Sequence, residues 1–150
     1  MAEASGLNLL RSSQPPSYEA LDQRGMRQDL PNVDVREGDL ESLPLAAAAL
    51  DAAMLSLVLH YSPDPARALT EVARVVRPGG RVLVVDMLPH DRVEYQQQMG
   101  HVWLGFSEKQ VARFLTGAGF DEVRVRALPA DPDAKGPALF AAVGVRGNQH

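Results

Sequence analysis

Apolar and polar positions along this chain change period several times, and each change marks an element. Ala52 to Leu59 is an apolar run with little alternation, and Arg81 to Asp86 is another. Runs of this kind read as strands buried on both faces of a parallel sheet. Between them, Leu69, Val72, Ala73 and Val76 fall at i, i+3, i+4 and i+7, which is one face of a helix. Asp64 suits its N-cap and Pro65 its first turn, and Pro78-Gly79-Gly80 stops it. Strand, helix and strand make a parallel crossover unit. Ligands of such sheets sit beyond the carboxyl ends of the strands. Those ends here are His60-Tyr61 and Asp86-Met87, so chemistry is expected there.

The flanking regions predict further elements. Val33-Asp34-Val35 is a short alternating strand that runs into a turn allowed by Gly38. Ser107 to Gln110 has capping-box spacing, Val111, Phe114, Leu115 and Ala118 form a helical stripe, and Gly119 suits the C-cap. Asp121 to Ala127 alternates, with Val123, Val125 and Ala127 inward, and Ala138 to Val145 is a last apolar strand. These two are expected to pair as an antiparallel hairpin. Met87 to Phe106 has no clear period, and a connection of this length suggests a substrate loop. Leu7 to Leu10 is a weak apolar patch, Ser12 to Ser17 is turn-like, and Tyr18 to Gln28 could form a short helix. Residues 1–30 are therefore expected to be poorly ordered or atypical, and order to begin near Pro31.

Composition narrows the class. The 150 residues suit one domain, with 45% hydrophobic and 23% charged residues. A net charge of -4 without a basic block argues against direct nucleic-acid binding. The absence of cysteine excludes disulfides, thiolate metal sites and cysteine nucleophiles. No secretion signal is evident, and no apolar run approaches the roughly 20 residues of a membrane span. A soluble cytoplasmic protein is expected.

Four stretches, in order, resemble the C-terminal two thirds of a class I S-adenosylmethionine-dependent methyltransferase. They are Glu37-Gly38-Asp39-Leu40-Glu41-Ser42-Leu43-Pro44, Leu50-Asp51-Ala52-Ala53, Leu59-His60-Tyr61-Ser62-Pro63-Asp64-Pro65, and Glu71-Val72-Ala73-Arg74-Val75-Val76-Arg77-Pro78-Gly79-Gly80. The flavour is that of quinone-biosynthesis C-methyltransferases. The loop His90 to Phe106 looks like bacterial members fused to an ArsR-type regulator. The resemblance implies a Rossmann-like α/β sheet in the order 3-2-1-4-5-7-6, with strand 7 antiparallel. Val33–Val35, Ala52–Leu59 and Arg81–Asp86 would be strands 3, 4 and 5, and residues 31–147 the partial methyltransferase-like domain.

It also implies a cofactor, S-adenosylmethionine, and positions for it. Gly38, Asp39 and Leu40 would meet the adenine, Asp39 accepting from its amino group, and Ser56 and Leu57 would flank the methionine part. For Asp39 the competing reading is a loop carboxylate that stabilises its own turn. His60 lies where an acceptor would sit and could orient it or take its proton, or it could simply hydrogen-bond within a turn. His90, Asp91, Tyr95, His101 and Trp103 form the candidate substrate loop. His90, Asp91 and His101 match no firm metal-ligand pattern, so no metal is expected. Glu41, Glu71 and Glu122 read as solvated charges.

One departure is marked. The family's glycine-rich loop after strand 1 and the acidic end of strand 2 are not evident, and no Gly-x-Gly precedes Pro31. Strand 3 would then lack a neighbour, and the Ala52–Leu59 strand would be an open edge prone to self-association. Two readings follow. One is methyl transfer to a small-molecule acceptor, with Leu7–Leu10 standing in for strand 1. The other is a truncated, non-catalytic interaction module or a fragment of a regulator–methyltransferase fusion. A Rossmann oxidoreductase is disfavoured, because Gly-x-Gly-x-x-Gly does not occur.

Overall fold

The computed structural model describes residues 2–3, 6–12, 33–129, 132–133 and 136–148. The expected helix at Tyr18–Gln28 lies outside them. The described residues form seven strands: β1 (Ala2–Glu3), β2 (Gly6–Ser12), β3 (Val33–Gly38), β4 (Leu50–Ser56), β5 (Val76–Met87), β6 (Phe120–Ala127) and β7 (Leu139–Arg146). They form two hydrogen-bonded strips, β1-β2-β3 and β4-β5-β7-β6. Strand β1 lies against β4. Read side by side, the strips give the order 3-2-1-4-5-7-6, and the ladder is interrupted between β1 and β4. The β6–β7 hairpin is antiparallel, and β7 runs antiparallel to β5, both as expected.

Two strand expectations need correction. Gly6–Ser12 pairs in parallel with Val33–Gly38, so strand 3 has a neighbour. Leu7–Leu10 therefore stands beside β3, in the place of strand 2 rather than strand 1. Among the described residues the strand-1 place holds Ala2–Glu3, which pairs antiparallel with β2. Strand β4 also stops early, at Ser56. Leu57 has φ 58°, its amide donates to Val85 O at 2.8 Å, and the chain turns into a 3-10 segment, Leu59–Tyr61. A left-handed leucine at a strand end is costly backbone that surrounding structure must hold. Here the turn buries Leu59 completely.

Helix α1 (Pro65–Val75) starts as expected, with the Asp64 carboxylate accepting from Arg67 N. Helix α2 (Glu94–Met99) lies inside the long connection. Helix α3 (Glu108–Ala118) begins with a complete capping box from Ser107 and Gln110, and ends at Gly119 in the left-handed region. The buried faces of α1 and α3 (Leu69, Val72, Val111 and Leu115 among them) meet Leu55, Val82, Val84, Phe140 and Ala142 from the sheet. Burying this much apolar surface is the main drive for docking these elements. Ala127 is exposed rather than inward.

Glu71 is not a solvated charge. Its carboxylate pairs with Arg74 at 2.7 Å and accepts from Leu43 N at 2.7 Å. Arg74 Nη2 in turn donates to Leu43 O and Leu45 O. The Arg74 hydrogen bond is the main reason that the Glu71 carboxyl is held below its ordinary pKa; the Leu43 amide acts in the same direction, and partial burial opposes both. This clip fastens the β3–β4 loop to α1 and so positions the turn at Asp39.

Candidate active site

The carboxyl ends of β4 and β5 meet at one buried pair. Asp86, which closes the apolar run Val82–Val85 of β5, is fully buried. Its Oδ1 is 2.7 Å from His60 Nδ1 and accepts from Met87 N at 2.8 Å. Its Oδ2 accepts from His60 N at 3.2 Å. A buried carboxylate is tolerated when its lone pairs are met in this way. The early end of β4 makes the pair possible, because the 3-10 turn swings His60 inward to 2% exposure.

Residues 88–106 are strapped over this turn. Val102 N and Trp103 N both donate to His60 O, at 2.9 and 3.0 Å, and Trp103 Nε1 donates to Ser62 O at 3.0 Å. His90 N donates to Leu104 O, and Phe106 N to Met87 O. Gly105, at φ +87°, presses against the Leu88 carbonyl, where a Cβ would not fit. The strap places the His101 ring 4.0 Å from His60, with Tyr61 at 4.9 Å and Tyr95 at 5.1 Å from His101. His90 packs edge-on to Tyr95 at 5.3 Å.

Electrostatics keep the outer rings neutral. Burial, and secondarily the neighbouring His60, push His101 down to about 4. Burial, followed by Arg92, lowers His90. Burial, and then the Asp86 charge, raise the Tyr61 hydroxyl. His60 Nε2, His90 Nε2 and His101 Nδ1 are buried with no hydrogen-bond partner among the described residues.

Of the substrate-loop residues expected from sequence, His90, Tyr95 and His101 join this cluster. Trp103 instead packs on Phe106, with ring centroids 5.3 Å apart, beside the core, and Asp91 is exposed. Among the described residues no three His, Cys, Asp or Glu side chains form a metal-holding group. Sequence reasoning did not single out Asp86 as a site residue. Its signal was a lone carboxylate closing the run Val82 to Val85.

The cofactor-side residues lie on the same edge of the fold. Gly38 packs so tightly on Pro44 that a Cβ would come within 2.7 Å of Pro44 Cδ. Exposed Asp39 accepts from Glu41 N at 2.9 Å through Oδ1, so it shapes its own turn. Leu40 packs partly on the core. Ser56 is exposed, and Leu57 is 40% exposed at the left-handed turn.

The comparisons with known proteins agree with this layout. Residues 13–84 match the family model described as a methyltransferase domain. The chain is similar to the phthiotriol/phenolphthiotriol dimycocerosates methyltransferase of Mycobacterium tuberculosis, 33% identical over 156 residues, covering 94% of this chain and 57% of that protein. It is also similar to the solved S-adenosylmethionine-dependent methyltransferase from Mesorhizobium loti, with TM-score 0.74, 21% identity, and coverage of 95% and 81%. In sequence and fold the chain is similar to class I S-adenosylmethionine-dependent methyltransferases. It spans from 31% to 57% of the length of the curated methyltransferases it matches. The same methyltransferase fold is similar to the [4+2]-cyclase SpnF, with TM-score 0.73, 20% identity, and coverage of 96% and 67%, so fold alone does not assign the reaction.

The family implies S-adenosylmethionine, and the described residues of this chain fit it in part. Exposed Asp39, and the strand end at Ser56 and Leu57, are the described residues expected from the sequence to meet it. The strand between them is a two-residue stub, and the described residues contain no glycine-rich loop beside it. Among the described residues the central cradle is therefore not represented, and the chemistry below is confined to the acceptor side.

Proposed function

We propose that this chain is an S-adenosylmethionine-dependent methyltransferase that acts on a small molecule, with residues 31–147 as its methyltransferase-like domain and the strand Gly6–Ser12 paired beside it. The observation that carries the reading is the buried His60–Asp86 pair at the carboxyl ends of β4 and β5, closed over by residues 88–106. Alignment of reactants and exclusion of water are the main contributions a protein makes to methyl transfer. A buried polar pair, closed over at the carboxyl edge of a parallel sheet, lies where such sheets bind their ligands. Asp39, Ser56 and Leu57 would face the donor. His90, Tyr95 and His101 would face the acceptor. Calorimetric titration with S-adenosylmethionine tests the reading: micromolar affinity is expected, and absence of heat across a range of temperatures rejects it for this chain.

The interrupted ladder favours a second reading, a non-catalytic module that associates through its sheet. Among the described strands β4 is hydrogen-bonded only to β5, and Met54 on it is 47% exposed. Unpaired strand edges template association. Sedimentation of the chain decides this reading, with concentration-dependent dimers expected under it and a monomer at all concentrations against it.

A further inference from the structure

We propose that the apolar face of β4, β5 and β7 that points away from α1 and α3 is a docking surface for another protein. Its occupant is an amphipathic helix with an apolar stripe and an acidic flank. The inference stands apart from methyl transfer, because this surface lies on the flat of the sheet and not at its carboxyl edge.

Strand register builds the surface. Leu55, Val82, Val84, Phe140 and Ala142 point to the side that α1 and α3 cover. Side chains alternate along a strand, so the residues between them point the opposite way. Met54 pairs with Leu83, and Leu83 pairs with Val143. The three make an apolar row across three strands, and Met54 and Val143 are exposed. One row away, Ala52 and Val145 extend it on either side of Arg81. These strands line a groove of about 440 Å³, and none of the described helices contributes to its walls. The parallel pair β4–β5 is of a kind that ordinarily has helices on both faces. A contiguous exposed apolar patch marks an interaction site.

Width and charge select the occupant. Neighbouring strands lie about 4.8 Å apart, so β4 to β7 spans about 10 Å, the diameter of a helix with its side chains. The rim beside the apolar row is cationic. Arg81 lies on β5, and Arg124 and Arg126 lie on β6 opposite Val143 and Ala141. Among the described residues none of the three arginines has an ion pair. Glu122, at φ 52° in the β6 bulge, is the one acid among the groove's lining residues, against Arg81 and Arg124. The chain as a whole carries a net charge of -4. The local sign is therefore opposite to that of the molecule, and it matches an acidic partner. A second copy laid face to face would bring two cationic rims together, which is unfavourable.

The test uses a labelled synthetic peptide that forms a helix with leucine on one stripe and glutamate on its flank. A counterpart carries lysine in place of glutamate. Each is titrated with the full chain and followed by fluorescence anisotropy. Saturable binding of the glutamate helix at micromolar chain is expected, and Met54→Asp should weaken it about tenfold or more. The double variant Arg81→Glu, Arg124→Glu should lose the glutamate helix and gain the lysine one. These three positions are exposed, so the variants keep their fold, which circular dichroism checks. Equal binding of both helices by the wild-type chain, unchanged affinity in Met54→Asp, or no binding at millimolar chain overturns the proposal. Tighter binding to phosphatidylglycerol vesicles than to the glutamate helix overturns it in favour of a lipid surface. A dimer in sedimentation that Met54→Asp dissolves overturns it in favour of a second copy.

Discussion

Replacing Asp86 with alanine is the sharpest probe of the buried pair. The carboxylate is fully buried and accepts from His60 Nδ1, His60 N and Met87 N. Alanine leaves all three donors in a site closed by the strap. Each buried, unsatisfied donor costs about 1–3 kcal/mol. Relaxation and entering water recover some of this, so a total loss of about 3–6 kcal/mol is expected. That is a large share of the roughly 5–15 kcal/mol that holds a typical domain folded. Trp103, the only tryptophan, bonds to Ser62 O beside the pair and reports on it directly. Urea unfolding followed by its fluorescence, with circular dichroism in parallel, gives the loss. Asp86→Asn keeps one acceptor and should fall between wild type and alanine. In a double-mutant cycle with His60→Ala, a coupling of at least about 1 kcal/mol is expected. A loss below about 1 kcal/mol for Asp86→Ala would refute the view that the pair organises this edge of the fold.

Other expectations follow from the same geometry. His101 is pushed down to about 4 in the folded chain, against an ordinary value of about 6.5. The unfolded state therefore binds more protons in that window, so stability should fall as pH drops from about 6.5 to about 4, and His101→Phe should flatten the slope in urea midpoints measured against pH. Gly105→Ala should lose more than about 2 kcal/mol in thermal unfolding because of strain against Leu88, whereas Gly100→Ala, at φ +74° with open space around it, should lose only about 1. Ser107→Ala should cost about 1 kcal/mol by opening the capping box of α3, and an unchanged melting temperature would count against that box.

Local chemistry was readable from the residues themselves. Asp64-Pro65, the Ser107 box and Gly119 announce their helix ends because caps depend on neighbours in sequence. The carboxyl ends of two apolar runs marked the edge of the sheet where the buried His60–Asp86 pair is found. The pairing of His60 with Asp86 was harder to see, since the partners are 26 residues apart and meet only because β4 ends at a left-handed Leu57. Nothing in Leu-Ser-Leu-Val-Leu signals that turn; tertiary burial of Leu59 overrides strand propensity there. Asp39 was open to two readings, and the structure adds the bond to Glu41 N that favours the turn-forming one. The place of Gly6–Ser12 was missed because its register is set by Val33–Gly38 across the sheet, not by its own weak pattern.

The fastening of residues 88–106 relies largely on main-chain groups: the amides of His90, Val102, Trp103 and Phe106 all end on backbone carbonyls. Most of its side chains can therefore be exchanged without undoing the clasp, apart from Trp103, whose indole also bonds to Ser62 O, and Gly105, which the close approach requires. A segment attached in this manner behaves as an interchangeable cassette. Relatives sharing this scaffold could acquire new preferences by rewriting a dozen or so positions, while the carbonyls that anchor the segment and the sheet beneath stay as they are.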